Sequence, residues 1–176
     1  MSSDLGTLDY ALVGLLADAP LNGYDLRKAF ESSLFHAWAA RYSQIYPALG
    51  KLEKAGLIEV VETGNRGSRV YRATEAGLTA IAAWLQTEPV RTVRNEAALR
   101  TFFYWMLPPE QARGRLLADE AYHRERYRHF ASLLTLLPET LAPKSRWLRI
   151  MVERGLRIEA ANADWLAWAA AEIERS

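Results

Sequence analysis

Leu8, Ala11, Leu12, Leu15 and Leu16 recur at the spacing of one helix face, which predicts a first helix from a Thr7 cap to about Asp18. Ala19-Pro20-Leu21 interrupts it, and Asn22 is placed to cap a second helix to about Ser33, with Asp25 in its first turn. Residues 34–42 are apolar and aromatic without punctuation and read as a loop with a helical turn. Ser43 caps a third helix in which Ile45, Ala48, Leu49 and Leu52 form the inner face, and Gly56 stops it. The β-branched run at 57–62, turn chemistry at 63–67 and alternation at 68–73 predict a β-hairpin. Thr74 then caps a fourth helix with Leu78, Ile81, Ala82 and Leu85 inward. Three helices, two strands and a helix in this order predict a winged helix-turn-helix.

A polar stretch around Pro89 marks a boundary, so the expected domains are 1–88 and 89–176. The second is helical throughout. A short helix at 96–107 carries the aromatic cluster FFYWM, a long helix spans about 109–136, and a last one runs from about Lys144 to Ile173. On the last helix Trp147, Met151, Ile158, Ala161, Trp165 and Trp168 form a near-heptad stripe, with Arg154 at the interrupted position. Two helices cannot bury both faces of so apolar a pair, and a second copy of the chain is the expected completion. The predicted fold class is therefore mainly α with a small β-hairpin: an N-terminal winged helix-turn-helix followed by a C-terminal α-helical dimerisation domain.

Composition narrows the chemistry. Half of the 176 residues are hydrophobic, enough for real cores, and no run resembles a membrane span or a secretory signal, so a soluble cytoplasmic protein is expected. The absence of cysteine excludes disulfides, thiol catalysis and sulfur-ligated zinc. Glu120 and His123 match one half of a carboxylate-bridged metal motif that has no second half here; with Arg124, Arg126 and Arg128 alongside, they read as a solvated helix face with Glu120 pairing Arg124. No metal and no cofactor are expected. Nor is there a Gly-rich phosphate loop or a serine elbow, and the chain is not expected to be an enzyme.

Net charge is only +1, so its distribution matters more: residues 1–88 carry 8 basic and 10 acidic side chains, residues 89–176 carry 14 and 11. Residues 63–73 nevertheless hold Arg66, Arg69 and Arg72 and no acid. On the third helix, with Ile45 inward, Ser43, Pro47, Gly50 and Lys54 point outward and Gln44 and Lys51 share a flank. This face suits a DNA major groove: Gln44 can pair with adenine, Lys51 with guanine or phosphate, Tyr46 with a phosphate or a thymine methyl, and Gly50 permits close approach. The hairpin tip, Asn65 to Arg69, suits phosphate or minor-groove contact through Arg66, Ser68 and Arg69. Any amphipathic helix carries such polar residues on its wet side; the hairpin beside it favours DNA.

Three blocks, LDYALVGLLADAPLNGYDLRKAF at 8–30, YSQIYPALGKLEKAGLIE at 42–59 and SRVYRATEAGLTAIAAWL at 68–85, resemble the PadR-like transcriptional regulators. The segment RNEAALRTFFYWMLPPEQARGRL resembles the C-terminal region of the subgroup related to the virulence activators. The resemblance implies a homodimer held by C-terminal helices, with two winged heads on a pseudo-palindromic operator; the expected role is that of a transcriptional repressor, with activation left open. It adds Asn22, Tyr24 and Ser43 to the DNA-binding set of Gln44, Tyr46, Lys51, Arg66, Ser68 and Arg69. Position 50 departs from the family pattern, since many relatives carry a long polar or basic residue where this chain has Gly50, which puts base specificity there in doubt. The resemblance also implies release by a small aromatic or hydrophobic effector. Trp147, Trp165 and Trp168 are the candidate effector-binding residues, although packing between subunits explains the same stripe. Two other readings stay open at this point: a winged helix serving as a protein-interaction module, and a ligand-sequestering helical protein without DNA binding.

Overall fold

The computed structural model describes residues 5–30, 42–64, 68–90, 95–137 and 143–175. The chain divides into two compact units, Met1–Arg91 and Thr92–Ser176.

In the first unit, α1 spans Thr7–Asp18, and its cap is not Thr7 but Gly6, whose N–H donates to Asp9 Oδ2 at 2.9 Å. A carboxylate in the first turn serves the exposed N–H groups and the helix dipole better than the Thr7 hydroxyl could from inside the helix. Residues Leu21–Asn22 form β1, an element too short to leave a sequence pattern. Helix α2 covers Gly23–Ala29, and Asn22 Oδ1 accepts from the Tyr24 and Asp25 N–H groups at 2.9 Å. The expected end at Ser33 and all but the last residue of the loop read at 34–42 lie outside the described residues.

A 3-10 turn at Tyr42–Gln44 leads into α3, Ile45–Lys54. Ser43 therefore sits inside that turn and does not cap α3; Gln44 holds the cap position without a side-chain bond. Ile45, Ala48, Leu49 and Leu52 are buried as their spacing requires. Gly56 ends the helix with φ +70°, its N–H bonding Glu53 O and the Leu57 N–H bonding Leu52 O. That reciprocal pattern needs a left-handed residue, which glycine adopts at least cost.

Strands β2 (Ile58–Thr63) and β3 (Arg69–Ala73) form the hairpin, with a bulge between Val60 and Glu62. β1 pairs on the other side of β3, giving the order β1-β3-β2. Helix α4 spans Glu75–Leu85, with the Thr74 hydroxyl accepting from the Gly77 N–H. Its inner face differs from expectation: Ala82 and Leu85 are exposed, while Gly77 is buried and Leu78 and Ile81 half-buried. The smallest residue sets the line of closest approach, so the helix turns toward Gly77 and its bulkier neighbours flank the contact. Leu12, Leu16, Leu26, Ile45, Leu49, Leu52 and Ile58 are fully buried, each contributing roughly 1.5–3 kcal/mol of burial.

The second unit is an α-hairpin with a short lead. Asn95 caps α5, Glu96–Phe102, which is shorter than expected because a 3-10 turn takes over at Tyr104–Met106. The long helices α6, Pro109–Leu136, and α7, Pro143–Glu174, pack along their length. Gly155 makes room for Phe130: a Cβ there would lie 2.6 Å from its ring. On α7 the buried residues are Val152, Leu156, Glu159, Ala163, Leu166 and Ala170. The near-heptad stripe is the opposite face, and Trp147, Met151, Ile158, Trp165 and Trp168 are exposed.

Glu120 pairs with Arg124 at 2.6 Å, but His123 does not share that solvated face. It turns to Glu159, with Nδ1 2.5 Å from Oε2, and Arg126 Nε reaches Oε1 at 2.7 Å. Glu159 is only 6% exposed. Burial alone would push its carboxyl up; the bonds from His123 and Arg126 and the guanidinium charge outweigh it and hold the group below its ordinary value. A carboxylate so depressed stabilises the fold above its unfolded-state pKa, and that stabilisation is lost as pH falls through the folded one. Glu159→Gln should therefore cost about 3 kcal/mol at neutral pH and flatten the acid limb of thermal stability measured by circular dichroism; an unchanged acid limb would remove Glu159 from that account.

Candidate nucleic-acid interface

The outward side of α3 follows from its inner one. With Ile45, Ala48, Leu49 and Leu52 fixed in the core, Ser43, Gln44, Tyr46, Pro47 and Lys51 are exposed. Tyr46 is 65% exposed yet its position is fixed, because its ring lies against Gly23 at the start of α2, where a Cβ would come within 2.6 Å of Cε1. Glycine at 23 is what lets the two helices meet there. Tyr24, one residue on, is also 65% exposed, with the Arg27 guanidinium 5.9 Å from its ring centre. Asn22 is engaged as a cap and holds Asp25 Oδ2 at 2.7 Å through Nδ2, so its side chain is committed locally. At Gly50 a Cβ would meet nothing within 4 Å. The glycine is not imposed by packing, and it leaves the middle of the presented face bare.

The hairpin is joined to α3 through charge. Arg69 of β3 pairs with Glu53 of α3, and its guanidinium also lies 5.6 Å from the Tyr71 ring centre. The bond to Glu53 drives the Arg69 pKa further up. Ser68 is exposed beside it, and its carbonyl accepts from the Gly64 N–H at 2.7 Å to close the hairpin. Arg66 lies outside the described residues. Tyr24, Ser43, Gln44, Tyr46, Ser68 and Arg69 thus form one exposed surface built from α2, α3 and the hairpin.

Lys51 behaves differently. Its Nζ lies 2.7 Å from Asp9 Oδ2, and Asp9 is a buried carboxylate of α1. Asp9 does not stand out in the sequence as part of this surface. Asp9 has a local signal, a carboxylate in a helix first turn, but its partner is 42 residues away.

The three tryptophans do not make one pocket within a protomer. Trp147 and Trp165 are about 27 Å apart along α7 at 1.5 Å per residue, beyond the reach of any single planar ligand. Trp165 and Trp168, one turn apart, are both exposed and share the outer face. Among the described residues no group of histidine and carboxylate side chains could hold a metal ion, and no helix is long and apolar enough to cross a membrane.

Residues 12–83 match the model of the transcriptional regulator PadR-like family, and residues 93–174 match the C-terminal region of the virulence activator alpha family. The negative transcriptional regulator PadR of Bacillus subtilis (strain 168) is 32% identical over 123 residues, 67% of each chain. The chain belongs to the PadR-like family of transcriptional regulators. The fold of that family extends over both units: the Bacillus subtilis PadR structure in complex with operator DNA superposes with a TM-score of 0.85 at 25% identity, covering 97% of this chain and 99% of that one. The same PadR in complex with p-coumaric acid gives 0.81 at 27% identity, covering 95% and 98%. This PadR-like regulator is a winged helix-turn-helix protein with a helical C-terminal unit, as its element order implies.

Proposed function

We propose that this PadR-like regulator binds a pseudo-palindromic operator as a homodimer and represses transcription there. The observation that carries the reading is the joined surface of α2, α3 and hairpin, in which Gln44 and Tyr46 project from α3 while Glu53 and Arg69 tie β3 to the same helix. Helix α3 enters the major groove; Gln44 and Tyr46 read base edges, Ser43, Tyr24 and the α2 N-terminus at Asn22 meet phosphates, and Arg66, Ser68 and Arg69 follow the backbone beside it. The Arg69–Glu53 pair lies at the surface, where water screens it, so Arg69 can exchange its partner for a phosphate. The operator complex of the Bacillus subtilis relative supports this docking mode. Its p-coumaric acid complex supports an effector of the small aromatic acid class, with Trp165 and Trp168 as the exposed pair on α7 able to stack one. The function requires no cofactor.

Selection of bound fragments from random duplexes should recover two inverted half-sites separated centre to centre by about 10 base pairs or a multiple. On the recovered operator, Arg66→Ala and Arg69→Ala should each weaken binding to every sequence and flatten the log affinity against log salt slope by about 0.9. No enrichment above background, or slopes unchanged in both variants, contradicts the reading.

A further inference from the structure

We propose that Asp9 is a positioning residue for operator recognition: it holds the Lys51 ammonium at α1, so that Lys51 braces α3 and is not one of its phosphate ligands. The inference rests on the DNA-binding reading and changes how α3 does its work.

Asp9 is 5% exposed, and one oxygen, Oδ2, accepts both from the Gly6 N–H at 2.9 Å and from Lys51 Nζ at 2.7 Å. One carboxylate thus caps α1 and ties it to the second half of α3. The Lys51 side chain is 45% exposed, so its ammonium could be bid for by a nearby phosphate. Burial decides the competition. If Lys51 swung to a phosphate it would strand a carboxylate that has almost no access to water, and such a group cannot recover its lost partner from solvent. Arg69–Glu53 and Arg72–Glu59 are the contrast: in both pairs the carboxylate keeps substantial contact with water, so the arginine can leave at little cost. The flank shared by Gln44 and Lys51 therefore presents the amide and not the cation. The orientation of α3 on α1 therefore settles where Gln44 and Tyr46 arrive.

The full chain is titrated with the selected operator and with an unrelated duplex across a salt series, as the parent, Lys51→Met, Asp9→Asn and the double variant. Lys51→Met should weaken operator binding severalfold with its salt slope unchanged, because the brace is lost and no phosphate contact is. Asp9→Asn keeps an acceptor for the Gly6 N–H but removes the charge that holds the ammonium at α1, so its slope should steepen by about 0.9 and the unrelated duplex should bind more tightly. The double variant should return to the parental slope. A Lys51→Met slope flattened by about 0.9, or an Asp9→Asn slope equal to the parent's, overturns the proposal. If Asp9→Asn does not fold, the slope of Lys51→Met alone decides. Should the parent bind no duplex, the DNA-binding reading fails first; the thermal midpoints of the same four proteins then test the brace, and strict additivity of the two substitutions overturns it.

Discussion

Replacing Gly77 by alanine will lower the melting temperature of the winged unit by about 10 °C, through a net loss of about 2 kcal/mol. A Cβ on Gly77 would overlap the Leu57 carbonyl oxygen and lie 3.2 Å from the carbonyl carbon and 3.3 Å from Val13 Cγ1. The obstacle is backbone, not the movable end of a side chain. The Leu57 carbonyl also accepts from the Thr74 N–H at 3.0 Å, while the Thr74 hydroxyl donates to Gly56 O at 2.7 Å and accepts from the Gly77 N–H. Moving α4 away to admit a methyl group therefore disturbs its own cap and the entry to β2. Helix propensity works the other way, since alanine is favoured over glycine by about 1 kcal/mol inside a helix. Overpacking against fixed backbone costs about 3 kcal/mol and wins. Calorimetry gives the answer directly: a melting temperature equal to or above the parent's would mean that α4 shifts freely. Operator affinity measured well below the transition should survive, because Gly77 is not part of the proposed DNA surface.

This glycine illustrates what a hydrophobic pattern can and cannot convey. Apolar spacing identifies α1 and α3 because each buries one continuous stripe, and Asn22, Thr74 and Gly56 end or begin helices by chemistry that acts within a few residues. The two long helices each begin at a proline for the same local reason. The face of α4 was legible only through Leu78 and Ile81, because a pattern of large side chains is blind to a contact made by the absence of one. β1 was not legible either, since Leu21 and Asn22 become a strand only through bonds to Tyr71 and Val70 of β3. Exposure of Gln44 and Tyr46 followed from the inner face of α3, whereas the fates of Lys51 and His123 depended on carboxylates 42 and 36 residues away. Asp9 and Glu159 are acids in the core, and a polar letter in a sequence reads as solvent-facing until its partner is known.

The α7 stripe shows the converse, a periodicity that is clear while its partner is not, and it carries the second large effect: Ile158→Glu should convert a dimer into a monomer and lower operator affinity by about 100-fold or more. Val152, Leu156, Ala163, Leu166 and Ala170 are buried, while the opposite face with Met151, Ile158, Trp165 and Trp168 has no covering partner among the described residues. Exposing four large apolar residues along one helix is costly unless a second surface covers them. Charge selects the arrangement of that surface. The first half of α7 carries Lys144, Arg146, Arg149, Arg154 and Arg157 against Glu153, and the second half carries Asp164, Glu172 and Glu174 without a basic residue, Glu159 being turned inward to His123 and Arg126. A second α7 running antiparallel sets each half against its electrostatic complement, whereas a parallel one opposes like with like. Ile158 falls at the middle of Pro143–Glu174, so in a symmetric antiparallel pair it meets its own copy. Glutamate there places two carboxylates face to face in a desolvated seam, yet in the isolated chain it points to water and leaves the α6–α7 core intact. Sedimentation should show the monomer with an unchanged helical circular dichroism spectrum. Binding to a single half-site should match the parent's, because only the link between two heads has been cut. A variant that stays dimeric at low micromolar concentration would show that the subunits meet through some other surface.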